Sequence, residues 1–394
     1  MNYILFDGFR RVNFLPLVFT RPVADLRIGI LTLREKWEYF LQEKTSSLTE
    51  DYLTKKFPIV KTEDNILINA SVIPTAELVK EIKELEHGES LSKDEYIIAM
   101  RLNQEDLENV SSDDIFFDHQ TDLNLIKLNN SWDLFYKNDE ALRADFELLT
   151  KGRKSAPLSK TNFVRGNVSD IFLEKGAIVE HAFLNAESGP IYIGKEAEVM
   201  EGSKIRGPFA LCEHAQLKMD AKIYGATTIG PYCKVGGEVH NSVLLGYSSK
   251  AHDGFLGHAV IGEWCNLGAD TNNSNLKNTY DMVKIWSYEE ESFVDTGLQF
   301  CGLIMGDHSK SGINTMFNTG SVVGVSCNLF GAGFQRNFIP SFSWGSPQSM
   351  THFNLDKAFN VVKAVLKRRN KSLDQTDIDI LTHLYDVTFK KTAY

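Results

Sequence analysis

The 394-residue sequence lacks the features of membrane and disulfide-rich secreted proteins. It has no long apolar run and no basic stretch followed by an apolar one near Met1, so we expect neither a transmembrane helix nor a signal peptide. It contains only five cysteines, an odd number, and no Cys-x-x-Cys pair. This pattern argues against a disulfide framework and predicts a protein of the reducing cytoplasm, in which each cysteine is a small core residue.

Positive charge is also scarce, with 42 basic against 52 acidic residues and a formal net charge of −10. No block of lysine and arginine offsets that charge, which argues against a general nucleic-acid binder. We interpret the densest basic cluster, residues 367–371, as a helix end, where cations interact favourably with the helix dipole. The hydrophobic fraction of 43% is typical of a globular protein, and the length suggests two or three domains.

An unbroken six-residue repeat is the most informative feature that is present. Aliphatic residues stand six apart at Ile193, Val199, Ile205, Leu211, Leu217, Ile223, Ile229 and Val235. Neither an α-helix nor a simple strand sustains that period, which is typical of a parallel β-helix. Four positions after most of these residues the side chain is small, and Phe209 is the exception. Small residues at a fixed phase suit tight inward corners.

Composition and periodicity divide the chain into four predicted segments. Residues 1–150 alternate strands, among them 65–69, 96–100 and 115–117, with helices at about 26–44, 75–86 and 132–149, which favours an α/β domain. Residues 151–164 are polar and read as a linker. Residues 165–345 carry the β-helix. Residues 346–394 are predicted to form a helical tail that caps the open end of the solenoid.

The repeat breaks at residues 239–257 and 272–298, and such interruptions are commonly loops that build a site. The first break contains His240 and His252, and His258 follows it directly. An unbroken coil of 18 residues would stack His258 over His240. Three chemistries stay open: a shared zinc site, a general base oriented by Asp253, and a hydrogen-bonded loop histidine.

The second break is rich in asparagine and contains Asn275, Lys277 and Tyr280. Amide groups and one cation are suited to binding sugar hydroxyls and a phosphate. Asparagine-rich loops also form ordinary turns, so both interpretations stay open.

Residues 165–340 resemble the acetyltransferase half of the bifunctional N-acetylglucosamine-1-phosphate uridyltransferase/glucosamine-1-phosphate N-acetyltransferase family. The resemblance rests on Lys-Ala-His at 250–252, Leu-Gly at 256–257, Ile-Gly-Glu at 261–263, an asparagine at 275 and Ser-Gly-Ile-Asn at 311–314. It implies a left-handed β-helix, against the usual right-handed crossover rule, and a homotrimer with acetyl-CoA between neighbouring helices.

The same resemblance assigns roles to individual residues. His252 takes the place of the catalytic base, and Asn275 that of a catalytic-site asparagine. Substrate binding is implied for Lys250, Lys277 and Tyr280, and acetyl-CoA binding for Ser311 and Gly312. Phe255 stands where the family has tyrosine, and His258 where it has aspartate. The lost hydroxyl and carboxylate leave the amino-sugar acceptor open.

The N-terminal third looks like a shortened sugar-nucleotidyltransferase domain, through Leu15-Pro-Leu, Thr20-Arg-Pro, Asp25-Leu-Arg and Lys36-Trp. Arg21, Arg27 and Lys36 are predicted to bind nucleotide phosphates, with Mg²⁺ accompanying UTP. The family's glycine-rich loop is reduced here to one glycine, and its Gly-Asp metal ligand is replaced by Asn69-Ala70. The metal ligands are therefore unknown from sequence, with Asp7 and Asp25 as candidates.

Together these features predict a cytoplasmic enzyme with no nucleic-acid or membrane partner. Its expected reactions are N-acetylation of glucosamine 1-phosphate by acetyl-CoA and uridylyl transfer to N-acetylglucosamine 1-phosphate. Three alternatives stay open: a transferase with one live activity, a non-catalytic scaffold, and a zinc protein of the carbonic anhydrase type.

Overall fold

The computed structural model describes residues 1–109 and 118–391. The strand predicted at 115–117 lies outside the described residues. The chain forms two compact units, the first comprising Met1–Phe14, Thr20–Leu26 and Leu31–Asn129. The second comprises Leu15–Phe19, Arg27–Ile30 and Asn130–Tyr394. The domain boundaries at 150, 164 and 345 stay predictions.

The first unit is built on a mixed six-stranded sheet of order β2-β1-β3-β5-β4-β6. Its strands are β1 (Asn2–Phe6), β2 (Thr45–Leu48), β3 (Asn65–Asn69), β4 (Ser90–Lys93), β5 (Tyr96–Leu102) and β6 (His119–Gln120). β1 is parallel to both β2 and β3, whereas β5 is antiparallel to β3. The chain runs from β1 to β2 on one side and then crosses to β3 on the other side of β1, so the carboxyl ends of β1 and β3 form a switch point.

Three helices accompany this sheet: α1 (Leu33–Leu41), α2 (Ala76–Glu84) and α3 (Gln104–Asn109). The predicted start of the first helix at residue 26 is wrong, because the helix begins only after Thr32. The Thr32 hydroxyl accepts from the Glu35 amide, and the Glu35 carboxylate accepts from the Thr32 amide, which forms a capping box. The indole of Trp37 on α1 donates to the carbonyl of Val72 at 3.0 Å, tying the buried face of α1 to the core.

The second unit is a parallel β-helix of about ten coils with three faces. Face I contains β7 (Phe163–Arg165), β10 (Phe183–Asn185), β13 (Lys204–Arg206), β16 (Lys222–Tyr224), β19 (Glu238–His240) and β22 (Phe255–Gly257), and continues as the pair β25 (Asn272–Asn273) and β30 (Met316–Phe317). Face II contains β8 (Ile171–Leu173), β11 (Ile191–Ile193), β14 (Phe209–Leu211), β17 (Thr227–Ile229), β20 (Val243–Gly246), β23 (Val260–Glu263), β28 (Leu303–Met305), β31 (Ser321–Val323) and β33 (Phe338–Ile339). Face III contains β9 (Ile178–Val179), β12 (Glu198–Val199), β15 (Gln216–Leu217), β18 (Lys234–Val235), β21 (Ser249–Lys250), β24 (Asn266–Leu267), β29 (Lys310–Ser311), β32 (Asn328–Leu329), β34 (Ser343–Ser346) and β35 (Ser349–His352).

The six-residue series fills the interior of this solenoid. All eight of its aliphatic residues are at most 2% exposed and belong to one core cluster. The predicted architecture is therefore confirmed: an α/β unit, a parallel β-helix of hexapeptide repeats and a helical C-terminal segment. The left-handed sense of the β-helix stays a prediction. Two polar residues interrupt the apolar column of face III, because Lys250 pairs in register with Val235 and Ser311 with Leu267.

The corner between faces II and III carries a ladder of rings. Tyr232 stacks on Tyr247 with centroids 4.9 Å apart, and Tyr247 stacks on Trp264 at 4.2 Å. All three residues have φ between 55° and 61°, a left-handed conformation that turns the chain at this corner in each coil. Because neighbouring strands lie about 4.8 Å apart, equivalent corner side chains of successive coils meet at stacking distance.

Helices and one insert complete the second unit. α4 (Asp133–Tyr136) and α5 (Asn138–Thr150) replace the single helix predicted at 132–149. The insert after β25 contains the antiparallel hairpin β26 (Lys284–Ser287) and β27 (Ser292–Asp295) and is closed by a bridge between Leu276 and Phe300. The chain ends in α6 (Leu355–Lys367) and α7 (Gln375–Lys391). Within the described part of the chain, no helix is long and apolar enough to cross a membrane.

Candidate active sites

A cavity of about 410 Å³ lies in the first unit at the carboxyl ends of β1 and β3. In open α/β sheets, ligands bind outside the carboxyl ends of strands at such a switch point. Asp7 and Gly8 follow β1, Asn69 ends β3, and the β4–β5 turn contributes Asp94 and Glu95. The position of the cavity therefore follows from the strand order of the sheet.

Asp7 is buried beneath this cavity and holds its loop together. Its carboxylate accepts hydrogen bonds from Arg11 Nε at 2.9 Å, Thr49 Oγ1 at 2.5 Å and the Val23 amide at 2.7 Å. Burial raises the pKa of the Asp7 carboxyl, and the bonds to Thr49 and Arg11 oppose that shift. Gly8 has φ +73°, and a Cβ there would lie 3.1 Å from Asn69 Oδ1. The glycine thus lets the loop pass close to the asparagine.

The cations that line the cavity are Arg10 and Lys127, and the ammonium of Lys127 lies 3.5 Å from the ring centroid of Tyr96. Two of the cations predicted to bind phosphates do not line it, since Arg21 and Lys36 are 7% and 1% exposed. Arg10 belongs to the loop that follows β1, so its place in the sequence already indicates that it lies near the cavity. Lys127 is distant in sequence and reaches the cavity only through the fold.

Arg27, the third predicted phosphate ligand, belongs to the second unit. Its guanidinium donates to the carbonyl of Leu245 at 3.4 Å and to the carbonyl of Ile30. The side chain is 8% exposed, so its positive charge is directed at backbone oxygens of the solenoid unit.

In the second unit, a histidine and an amide meet where β22 ends. Asn275 Nδ2 lies 2.8 Å from His258 Nδ1, and the two residues are 17 positions apart. Asn273 fixes the backbone beside them, since Gly257 N donates to its Oδ1 and its Nδ2 donates to Gly257 O, both at 2.9 Å. Cys301 N donates to Asn275 O at 3.0 Å where the insert returns to the solenoid. Both ends of the insert therefore hold Asn275 against His258.

Aromatic rings surround the His258 imidazole. Phe135 meets it edge-on at 5.6 Å, Phe300 lies over it at 5.2 Å, and His240 meets it edge-on at 4.9 Å. Burial, together with the smaller effect of neighbouring His240, lowers the pKa of His258 to about 4. The ring is therefore neutral at pH 7. His240 pairs in register with Gly257, so the predicted stacking of His258 over His240 is displaced by one residue.

The tautomer of His258 follows from its amide partner. With Asn275 Nδ2 facing Nδ1, the amide can only donate, so Nδ1 accepts and the neutral ring carries its proton on Nε2. A proton on Nε2 makes the ring a hydrogen-bond donor to a substrate oxygen. This pairing was not predicted from the sequence, although the separation of 17 residues between His258 and Asn275, about one coil, indicates that the two side chains lie on neighbouring coils.

His252 lies at the opposite end of β22, in the exposed bend that follows β21. Lys250 supports that bend from inside, donating from Nζ to the carbonyl of His252 at 2.7 Å and of Gly236 at 3.1 Å. Burial lowers the pKa of Lys250 to about 8. The structure thus does not bring His252 to Asn275 within one chain, and it places Lys250 in the interior, 1% exposed.

The remaining predicted site residues occupy two places. Lys277 and Tyr280 share the insert with Asn275, where Lys277 Nζ donates to Met282 O at 2.7 Å and Tyr280 is 67% exposed. Ser311 is buried, and its hydroxyl lies 2.9 Å from Thr271 Oγ1. Gly312 follows at the next corner, where an added Cβ would lie 3.3 Å from Phe330 Cβ.

Within residues 1–109 and 118–391, no group of three histidine, cysteine, aspartate or glutamate side chains is arranged to hold a metal ion. His258 Nδ1, a candidate zinc ligand by sequence, instead faces the Asn275 amide.

One family model matches the N-terminal part of the chain. Residues 3–154 match the sugar nucleotidyl transferase family model, so the chain contains a nucleotidyltransferase-like segment that includes the switch-point cavity. That match spans less than half of the chain. No curated protein matches the sequence significantly.

Among solved structures, the chain is similar to UDP-N-acetylglucosamine acyltransferase from Campylobacter jejuni, with 13% identity and TM-score 0.34, over 60% of this chain and 86% of that one. It is also similar to UDP-N-acetylglucosamine acyltransferase from Arabidopsis, with 13% identity and TM-score 0.24, over 60% and 93%. A third is a mutant of perosamine N-acetyltransferase from Caulobacter crescentus in complex with CoA and GDP-perosamine, with 8% identity and TM-score 0.14, over 89% and 96%. Identities and TM-scores this low carry no argument about the function of this chain, which is argued below from its own residues.

Proposed function

We propose that the protein is a two-activity transferase for phosphorylated amino sugars. The first unit transfers a nucleotidyl group, and the β-helix transfers an acetyl group from acetyl-CoA. The observation that carries the proposal is the match of residues 3–154 to sugar nucleotidyl transferases, because this segment includes the residues that line the switch-point cavity of the first unit. The reactions are those implied by the family resemblance, with glucosamine 1-phosphate and N-acetylglucosamine 1-phosphate as substrates and UTP as nucleotide.

In nucleotidyl transfer, a phosphate oxygen of the sugar phosphate attacks the α-phosphorus of the nucleoside triphosphate, and pyrophosphate leaves. Arg10 and Lys127 line the cavity and would bind phosphate oxygens, since charge-assisted hydrogen bonds are the strong ones. Asp94 and Glu95 supply the carboxylates that suit Mg²⁺, which neutralises triphosphate charge when bound. Gly8 leaves room beside Asn69 for this ligand.

In acetyl transfer, the sugar amine forms a bond to the thioester carbonyl carbon and the C–S bond breaks. His252 accepts the amine proton and returns it to the departing CoA thiolate. His258, with its proton on Nε2, donates to an oxygen of the sugar, and Asn275 fixes that tautomer. Lys277 and Tyr280 on the same insert contribute to phosphate binding.

His252 precedes β22 and Asn275 meets His258 directly after it, so the two residues lie at opposite edges of face I and one chain does not supply both to one substrate. The homotrimer implied by the resemblance resolves this, with His252 of one copy completing the site at Asn275 of the next. Co-expressed His252→Ala and Asn275→Ala chains would then regain part of the activity that each variant lacks alone. Loss of activity in the mixture would contradict a shared site.

The function is tested by two separate reactions of the purified chain. One contains UTP, Mg²⁺ and N-acetylglucosamine 1-phosphate, and the other acetyl-CoA and glucosamine 1-phosphate or its nucleotide-linked form. Lys127→Ala should reduce only the first reaction, with exposed Lys83→Ala as control. His252→Ala should reduce only the second by about 10²-fold or more, with exposed His181→Ala as control. Failure of the wild-type chain in both reactions would contradict the proposal, and failure in one would leave a single-activity transferase.

A further inference from the structure

A groove of about 590 Å³ runs along the outside of face I. It crosses five neighbouring strands, β7, β10, β13, β16 and β19, and faces solvent along its length. The interior of these strands is filled by the six-residue series. The groove is therefore formed by the alternate, outward-facing side chains, which the solenoid does not need for its core.

Charge in the groove is opposite to that of the whole protein. Its lining includes four cations and one carboxylate, a net charge of +3, in a chain of net charge −10. Lys204 and Lys222 are paired in register on adjacent strands. Among the described residues, neither Arg206 nor Lys222 takes part in an ion pair. Arg165 pairs with Glu187 at 2.8 Å and Lys204 with Asp220 at 3.4 Å, so Arg206 and Lys222 are the cations through which the groove suits an anionic ligand.

One end of the groove presents a stacked aromatic pair. Phe163 and Phe183 are 65% and 46% exposed, with ring centroids 4.9 Å apart and planes within 10°. Exposed rings beside cations are a platform on which a nucleobase stacks, because every base has a π-face. A sugar phosphate alone has no planar base to stack on this platform.

The other end of the groove reaches the His258 site through ring contacts. Tyr224 lines the groove and stacks on His240 at 4.5 Å, and His240 meets His258 at 4.9 Å. Phe183 lies on β10, four strands before β22, which corresponds to roughly 19 Å at about 4.8 Å per strand. The cations on β13 and β16 lie between these two ends. Sugar, phosphate and base sites thus follow one another along the face.

From this order of sites we infer that the acetyl acceptor is a nucleoside-diphosphate amino sugar rather than a sugar 1-phosphate. The inference rests on the proposed acetyl transfer and specifies its substrate class. The base stacks on Phe183 and Phe163, the diphosphate binds Arg206 and Lys222, and the amino sugar reaches His258. On this inference the first unit transfers the nucleotidyl group to glucosamine 1-phosphate rather than to N-acetylglucosamine 1-phosphate, and the product is then acetylated by the solenoid.

The acceptors are compared with one another in reactions of the full-length chain. Acetyl transfer from acetyl-CoA is measured with glucosamine 1-phosphate and with UDP-, GDP- and dTDP-glucosamine. At least one nucleotide-linked acceptor should have a kcat/KM tenfold or more above that of the sugar phosphate. Arg206→Ala and Phe183→Ala should raise KM for that acceptor about tenfold with little change in kcat. Exposed Lys195→Ala and Phe334→Ala serve as controls.

Other outcomes separate the inference from the function beneath it. If glucosamine 1-phosphate is acetylated as well as every nucleotide-linked acceptor, the inference is overturned and acetyl transfer stands. If no acceptor reacts, the proposed acetyl transfer is wrong. Calorimetry then tests whether the groove binds nucleotide sugars, and equal affinities of wild type and Arg206→Ala for them would overturn the inference. A changed sedimentation coefficient of Phe183→Ala with unchanged KM would assign the groove to a second copy of the chain and also overturn it.

Discussion

The Asn275 amide nitrogen lies 2.8 Å from Nδ1 of His258, across two stacked coils of the solenoid. This hydrogen bond joins the first residues of the insert to the end of β22, and so couples the conformation of a loop to the state of one imidazole. Because Asn275 only donates through this nitrogen, it disfavours a proton on Nδ1. The pair therefore favours a neutral ring.

Asn275→Asp should raise the pKa of His258 above its value of about 4, because a carboxylate at Nδ1 favours the charged ring. A shift of at least one unit is expected, measured by NMR titration of the ring protons. Asn278→Asp adds the same charge to an exposed position of the same insert and should leave the titration within a few tenths of a unit. An unchanged His258 titration in Asn275→Asp would contradict the observed contact.

The lowered pKa of His258 also predicts how stability depends on pH. The folded state keeps this ring neutral down to about pH 4, whereas the unfolded chain protonates it near 6.5. The neutral His258 ring therefore makes its full contribution to the free energy of unfolding above pH 6.5. This contribution is lost as the pH falls through the pKa of the folded state, and the loss amounts to up to roughly 3 kcal/mol, at 1.36 kcal/mol per pKa unit. Urea unfolding at pH 7 and pH 4.5 should show a larger loss for wild type than for His258→Gln. Equal losses would show that the ring titrates normally.

Much of the solenoid could be predicted because its core repeats in the sequence. Each aliphatic residue from Ile193 to Val235 is buried where the period places it. The breaks could not be read in the same way, because coil length changes there. His240 and Gly257 pair across a coil of 17 residues rather than 18, which moves His258 next to Asn275.

The cations predicted to bind ligands show a second limit of prediction from the sequence. Residue type alone does not tell a surface cation from a buried one. Lys250 takes the register position of Val235 and points inward, and Lys36 is buried on α1. Lys127 lines the cavity of the first unit only because of how the sheet is ordered, which no short motif encodes.

Lys250→Met should alter stability in the opposite pH range from His258. Burial holds the pKa of Lys250 near 8, so between pH 8 and 10.5 the unfolded chain binds more protons than the folded one. Wild-type stability relative to Lys250→Met should therefore rise with pH through that window, by up to roughly 3 kcal/mol. Guanidinium unfolding at pH 8 and pH 10 measures the difference. A constant difference would mean that Lys250 is solvated in the folded state.

Lys250→Met should also weaken acetyl transfer, because the bond from Nζ to the carbonyl of His252 is lost. Since Lys250 acts through His252, the change should appear mainly in kcat and should shift the pH profile of the reaction. Lys250→Arg tests whether another donor restores it. An unchanged profile in Lys250→Met would show that Lys250 has only a structural role.

Leu217→Ala should destabilise the solenoid by about 3 kcal/mol, since it removes a fully buried side chain from a packed column. Gln216→Ala changes the adjacent residue of β15, whose side chain faces outward, and should change stability by less than about 0.5 kcal/mol. Chemical denaturation of the two variants compares them directly. Similar losses for both would contradict the inward and outward assignment of this strand.

Gly8→Ala should impair nucleotidyl transfer more than it impairs folding. The alanine Cβ would lie 3.1 Å from Asn69 Oδ1, so either the loop or the asparagine must shift within the cavity lining. Gly152→Ala is a matched control, because Gly152 has φ +74° against +73° for Gly8 and has no neighbour within 4 Å of an added Cβ. Both variants carry the same backbone strain, on the order of 1 kcal/mol, but only Gly8→Ala crowds the cavity. We expect a rise in KM for the nucleotide in Gly8→Ala alone, measured by release of pyrophosphate. Equal kinetics for the two variants would mean that the nucleotide does not bind beside Asn69.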